Sequence, residues 1–134
     1  MTKDYPIKFS KDEIFYISID VADFERAKKF YQDIFNFEIT FDGGKELGWC
    51  ELELPVKGIK IGLNYNENKE VKPGSTTLGI SVEDIDATKQ YFDSKSIYTT
   101  EINDIPDMVS LFDVKDSEGN IIQIIGKPRI TSKK

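Results

Sequence analysis

A chain of 134 residues with 39 % apolar and 31 % charged content is long enough to bury its own core and is composed like an ordinary soluble globular protein. A net charge of −6, no histidine and a single cysteine, Cys50, argue against nucleic acid as a partner, remove the commonest metal ligand and rule out an intrachain disulfide. No apolar run approaches a membrane span, and the opening "MTKDYPIKFSKDE" lacks the apolar stretch of a secretory signal, so no membrane partner is expected and the expected setting is a reducing cytoplasm.

The first periodic segment alternates by twos. Phe15, Ile17 and Ile19 face one way and Tyr16, Ser18 and Asp20 the other, which reads as a half-buried strand. Asp23 is placed to cap a helix, with Glu25 in its first turn, and Ala27, Phe30, Tyr31, Ile34 and Phe35 fall on one helical face. Three strand-like segments follow, at 37–42, 48–54 and 58–65, separated by turn signals that include a Gly-Gly pair read as a hairpin turn. In the middle segment Trp49, Glu51 and Glu53 alternate with Cys50, Leu52 and Leu54. In the last, Ile59, Ile61 and Leu63 share the helix-covered side while Lys60, Gly62 and Asn64 occupy the reverse. Cys50, with no cation or base to ionise it, reads as an inert core thiol.

A polar stretch at 66–75 reads as a linker, and then the pattern returns. Leu78, Ile80 and Val82 oppose Thr77, Gly79 and Ser81; Asp84 caps a second helix with Asp86 in its first turn; Ile85, Thr88, Tyr91 and Phe92 form its weaker apolar face. Strand-like segments follow at 96–102, 108–114 and 120–125, and the tail "PRITSKK" reads as a solvated and frayed terminus. The two copies lie 61 positions apart, as in "IDVADFERAKKFYQD" and "ISVEDIDATKQYFDS". Carried through, that offset pairs Trp49 with Ser110, Glu51 with Phe112 and Gly62 with Gln123, and predicts that Ser110 and Phe112 share the polar face. The implied architecture is α+β: two β-α-β-β-β modules (about 13–65 and 76–127, with a tail at 128–134) related by a pseudo-twofold axis. Their curved mixed sheet, polar on its uncovered side, would enclose a concave cavity.

Paired β-α-β-β-β units with "V-x-D" before an "FY" helix and "D-x-x-G-N" before the last strand resemble the vicinal oxygen chelate superfamily of glyoxalases, bleomycin-resistance proteins and extradiol dioxygenases. The matching pieces are "IDVADFERAKKFYQDIFNFEI", "GISVEDIDATKQYF" and "DSEGNIIQII". The resemblance implies a glyoxalase/bleomycin-resistance fold, a homodimer, and four metal-ligand positions, here Tyr16, Gly62, Thr77 and Gln123. Only Gln123 is of a type that family uses to hold a metal, so the expectation is no metal and no cofactor.

The leading functional expectation is therefore a resistance- or sequestration-type protein binding a small, cationic molecule. The residues expected to line its site are Tyr16, Ser18, Trp49, Glu51, Asn64, Thr77, Ser110, Phe112 and Gln123. Trp49 on a polar face offers a flat apolar platform with one donor, or else a plug in the sheet. The alternative is a lyase-, isomerase- or dioxygenase-like enzyme with a divergent site, in which Glu51 or Glu53 is the base or helps Asn64 or Gln123 hold a hard cation. The blander reading of both glutamates is groove lining, and a partner-binding module with a vestigial cavity is a third possibility. No phosphate loop, dinucleotide fingerprint or nucleophile elbow is present.

Overall fold

The computed structural model describes residues 3–4, 6, 8, 15–68, 70–72 and 77–132, the side chain of Phe15 excepted. The facing expected for Phe15 and parts of the 66–75 linker lie outside the described residues. Two compact units divide the chain, Met1–Glu70 and Val71–Lys134, and each is built around its own four-stranded mixed sheet. No helix among the described residues is long and apolar enough to cross a membrane.

The first unit runs β1 (Phe15–Val21), α1 (Phe24–Phe35), β2 (Glu38–Asp42), α2 (Gly44–Leu47), β3 (Trp49–Glu53) and β4 (Ile59–Tyr65). Its strand order is β1-β4-β3-β2, with β1 parallel to β4 and the other pairs antiparallel. Asp23 caps α1 by accepting from the Arg26 N–H at 3.1 Å, and Asn36 closes it in the left-handed region at φ 59°. Ala27 and Tyr31 are buried together with Phe24, Ile19, Leu52, Ile61 and Leu63. This is the apolar side predicted from the alternation. The Gly43-Gly44 pair does not form a tight hairpin turn. It leads into the single helical turn α2, which ends at Gly48, where a Cβ would run into the Tyr65 carbonyl oxygen and φ is +70°. Only glycine fits there.

The second unit repeats the plan: β5 (Thr77–Ser81), α3 (Ile85–Ser94), β6 (Asn103–Ile105), β7 (Val109–Lys115) and β8 (Ile121–Gly126), in the order β5-β8-β7-β6. Asp84 caps α3 through the Ala87 N–H at 3.0 Å. Of the expected helix face, Ile85 and Phe92 are buried, whereas Tyr91 is 39 % exposed. The strand expected over 96–102 is absent; only a Thr99–Val114 bridge forms there, and the edge strand is the shorter β6.

The tail also departs from expectation. Arg129 grips both oxygens of Asp104 at 2.9 and 2.6 Å and reaches Asp86 at 2.7 Å. Asp107 holds the Ser132 N–H and hydroxyl at 2.9 and 2.8 Å. Exposed as they are, Arg129 and Ser132 are thus tied to α3, β6 and the turn after it by charge-assisted bonds, not frayed.

Candidate functional site

Alternation in the first unit sends Tyr16, Ser18 and Asp20 of β1, Lys60, Gly62 and Asn64 of β4, and Trp49, Glu51 and Glu53 of β3 to the side of the sheet that α1 does not cover. The registers align them in rows: Ser18 beside Gly62 beside Glu51, and Asp20 beside Asn64 beside Trp49. The Trp49 indole lies over Gly62, so that a Cβ on that glycine would collide with the six-membered ring. The Tyr16 ring meets the indole edge-on, with centroids 6.3 Å apart and planes at 61°. This is the edge-to-face geometry aromatic quadrupoles favour.

The polar groups on this face are largely matched to one another. Trp49 Nε1 donates to Glu51 Oε2 at 2.9 Å, and Lys60 Nζ stands 3.5 Å from Glu51 Oε1. Asn64 Nδ2 donates to Asp20 Oδ1 at 3.0 Å. Glu53 is exposed at the end of β3. Lys60, which the sequence placed on this face without assigning it a role, is thus a member of the site. Its signal was its place on the same alternating face as Glu51 and Glu53.

In the second unit Thr77, Gln123 and Asp113 lie on the uncovered face; Thr77 is exposed and Gln123 half-buried between Gly79 and Asp113. Ser110 and Phe112 do not join them, which corrects the expectation. Phe112 is 1 % exposed and packs edge-on against Phe92 of α3, centroids 6.3 Å apart. Ser110 is buried, donating to Asp104 at 2.6 Å and accepting from the Arg129 N–H.

The cause is a one-residue difference in loop length. Six residues separate the paired Glu53 and Lys60, but five separate Lys115 and Ile121. Leu63 pairs with Cys50 while its counterpart Ile124 pairs with Phe112, so the third strands match at 62 positions, not 61. A slip of one residue exchanges the faces. Asp113, not Phe112, is therefore the counterpart of Glu51, and Leu111 that of Trp49. The shorter loop is organised by the "D-x-x-G-N" motif itself. Asp116 Oδ1 accepts from the Glu118 and Asn120 N–H groups at 2.8 Å each, and Gly119 turns at φ +90°.

Two other features bear on chemistry. Burial first, then nearby carboxylates led by Asp42, push the Cys50 thiol up to about 11, which leaves it protonated at neutral pH. Among the described residues no three or more His, Cys, Asp or Glu side chains cluster closely enough to hold a metal ion.

A family model described as Glyoxalase/Bleomycin resistance protein/Dioxygenase superfamily matches residues 13–124. No curated protein matches the sequence. Among solved structures, the chain resembles TnmS3, an antibiotic binding protein from Streptomyces sp. CB03234, at 20 % identity and a TM-score of 0.74, over 90 % of this chain and 98 % of that one. It resembles a glyoxylase/bleomycin resistance protein/dioxygenase domain from Frankia sp. EAN1pec at 16 % identity and TM-score 0.70, covering 85 % and 90 %. A lactoylglutathione lyase from Agrobacterium tumefaciens also matches at 16 % and 0.70, covering 84 % and 92 %.

Proposed function

The chain belongs to the Glyoxalase/Bleomycin resistance protein/Dioxygenase superfamily, and on that premise we propose that it binds a small, cationic, partly aromatic molecule on the uncovered face of its first sheet, without a metal. The observation that carries the reading is the Trp49 indole resting on Gly62 with its N–H tied to Glu51. A tryptophan held flat on a polar face is a preformed stacking platform for a planar ring or a cation. Asp20, Glu51 and Glu53 around it outnumber Lys60, and the net charge of −6 favours capture of a cation, an effect that salt screens. The antibiotic binding protein among the structural relatives is consistent with this use of the fold.

The metal-free part of the reading rests on the donors. Gly62 offers none, the Trp49 ring fills the space a side chain there would need, and Thr77 is a poor ligand. A general-base role for Glu51 is disfavoured because Trp49 and Lys60 already occupy its two oxygens. A cytoplasmic location and pairing with a second copy belong to the same proposal, the pairing being open to test by sedimentation.

The test is a titration of Trp49 emission with a panel of cationic aromatic compounds. Saturable quenching that weakens with salt and is lost in Glu51→Gln is the expected result. No response across the panel would sink the reading.

A further inference from the structure

Beyond the C-terminal end of α1 the first unit carries a cleft of about 410 Å³. It lies between the start of β2 and the end of β3, four residues and roughly 13 Å along the strand from Trp49. Phe35 and Phe37 line it, both half-buried and stacked with centroids 5.2 Å apart and planes at 16°. Leu54 adds further apolar wall.

Two features make this aromatic cleft negative. Glu38 and Glu53 stand directly opposite each other across the antiparallel ladder, where like charges repel at a Cβ separation of about 4.5–5.5 Å. No cation among the described residues pairs with either. The second feature is the helix end itself. The last turn of α1 has no basic residue, so nothing on the helix offsets the negative end of its dipole.

An arginine side chain answers both features and the rings. Its planar guanidinium can span two carboxylates and stack on an aromatic face at once, which an ammonium point charge cannot. The rim is open, since Asn36, Glu38, Glu53 and Pro55 are exposed. Small molecules are held where most of their surface is enclosed, whereas a side chain carried in by a partner is positioned by the rest of that contact. We infer that this cleft docks an arginine from a basic segment of a partner protein. The site goes beyond the small-molecule face of the first sheet and shares with it only Glu53.

The test titrates ¹⁵N-labelled full-length chain with acetyl-Ala-Arg-Ala-Arg-Ala-amide, against the same peptide with glutamine for arginine. The arginine peptide is expected to shift the amides of Asn36, Phe37, Glu38 and Leu54, less strongly as salt rises, and the glutamine peptide not to. Glu38→Gln should weaken the arginine peptide about two- to fivefold, the range for an exposed ion pair. Glu38→Arg supplies the cation from within the chain and should abolish binding. Without peptide, Glu38→Arg should raise Tm by about 1–4 °C, because repulsion across from Glu53 becomes attraction.

Equal shifts from the glutamine peptide, undiminished binding by Glu38→Arg, or a fall in the Tm of that variant would overturn the docking site. Arginine amide acting as strongly as the peptide would make the cleft a small-molecule site. Shifts of the same amides with protein concentration alone would give it to a second copy. Either result overturns the proposal. Peptide shifts confined to Trp49 and Glu51, or none anywhere, would overturn it and leave the first-sheet reading standing. Silence of Trp49 across the compound panel, with the cleft responding to the peptide, would remove that other reading alone.

Discussion

Glu51 and Asp113 occupy the same rung of two similarly ordered sheets, yet only the first finds donors for its side chain. The difference begins one strand away. Gly62 leaves room for an indole, and that indole brings the N–H that Glu51 accepts; Gln123 fills its own position, and nothing beside it reaches Asp113 Oδ1. The role of an acid in a repeated fold is thus set less by its own position than by the side chain its neighbour omits.

The sharpest way to break this comparison is to test the register on which it stands. Phe112→Ala should cost about 3–5 kcal/mol, the value for a buried aromatic truncated to a cavity, and Leu111→Ala less than half of that. Urea unfolding of the two variants reads the difference, and the reverse order, with Leu111→Ala the costlier, would mean that the third strands match at 61 positions after all.

Next in size is the packing of Trp49 on Gly62. Gly62→Leu should destabilise by about 1–3 kcal/mol through overpacking and shift Trp49 emission to the red as the ring is expelled. Gln123→Leu at the matching position should stay within about 1 kcal/mol, with emission unchanged.

A smaller effect separates the two units by pH. In the second, Arg129 first and then Ser110 hold the Asp104 carboxyl below its ordinary 3.8, at about 2. A lowered folded value means the contribution is complete above about pH 4 and fades as pH falls toward 2. In the first unit, Lys28 sits between Glu25 at 2.8 Å and Asp42 at 2.9 Å. Burial works to lower the Lys28 pKa, but its bonds to Glu25 and Asp42 outweigh burial and hold it above 10.5. The Lys28 contribution is therefore complete below pH 10.5 and lost as pH rises through the folded value. Thermal melts should show the acid loss blunted in Arg129→Gln and the alkaline loss blunted in Lys28→Met. An alkaline limb unchanged in Lys28→Met would remove the contrast.

The smallest expected signal is chemical. With its thiol at about 11 and its side chain fully buried, Cys50 should react with a disulfide reagent at pH 8 only as fast as the chain opens. Rapid labelling of the native protein would show the core behind Trp49 to be looser than its packing implies.

Much of this was legible in the amino-acid order because it is local. Strand alternation sorts Cys50 and Leu52 from Trp49 and Glu51, and Asp23 and Asp84 cap their helices through bonds three residues away. The aromatic pairs were legible only as belonging to the helix faces: both members were expected inside, and the structure fully buries only the second, Tyr31 or Phe92, because adjacent residues on a helix of 3.6 residues per turn point about 100° apart. The ordered repeat of these signals suffices to point to the superfamily. What the sequence left open depends on partners distant along the chain. One residue fewer between β7 and β8 turned Phe112 inward and Asp113 outward, which only the pairing with Ile124 and Gln123 decides. Arg129 anchors the tail through Asp86 and Asp104, 43 and 25 positions away. That Trp49 rests on Gly62 depends on two strands meeting in one register, because a side chain's neighbours across a sheet are fixed by pairing and not by its own dihedral preferences.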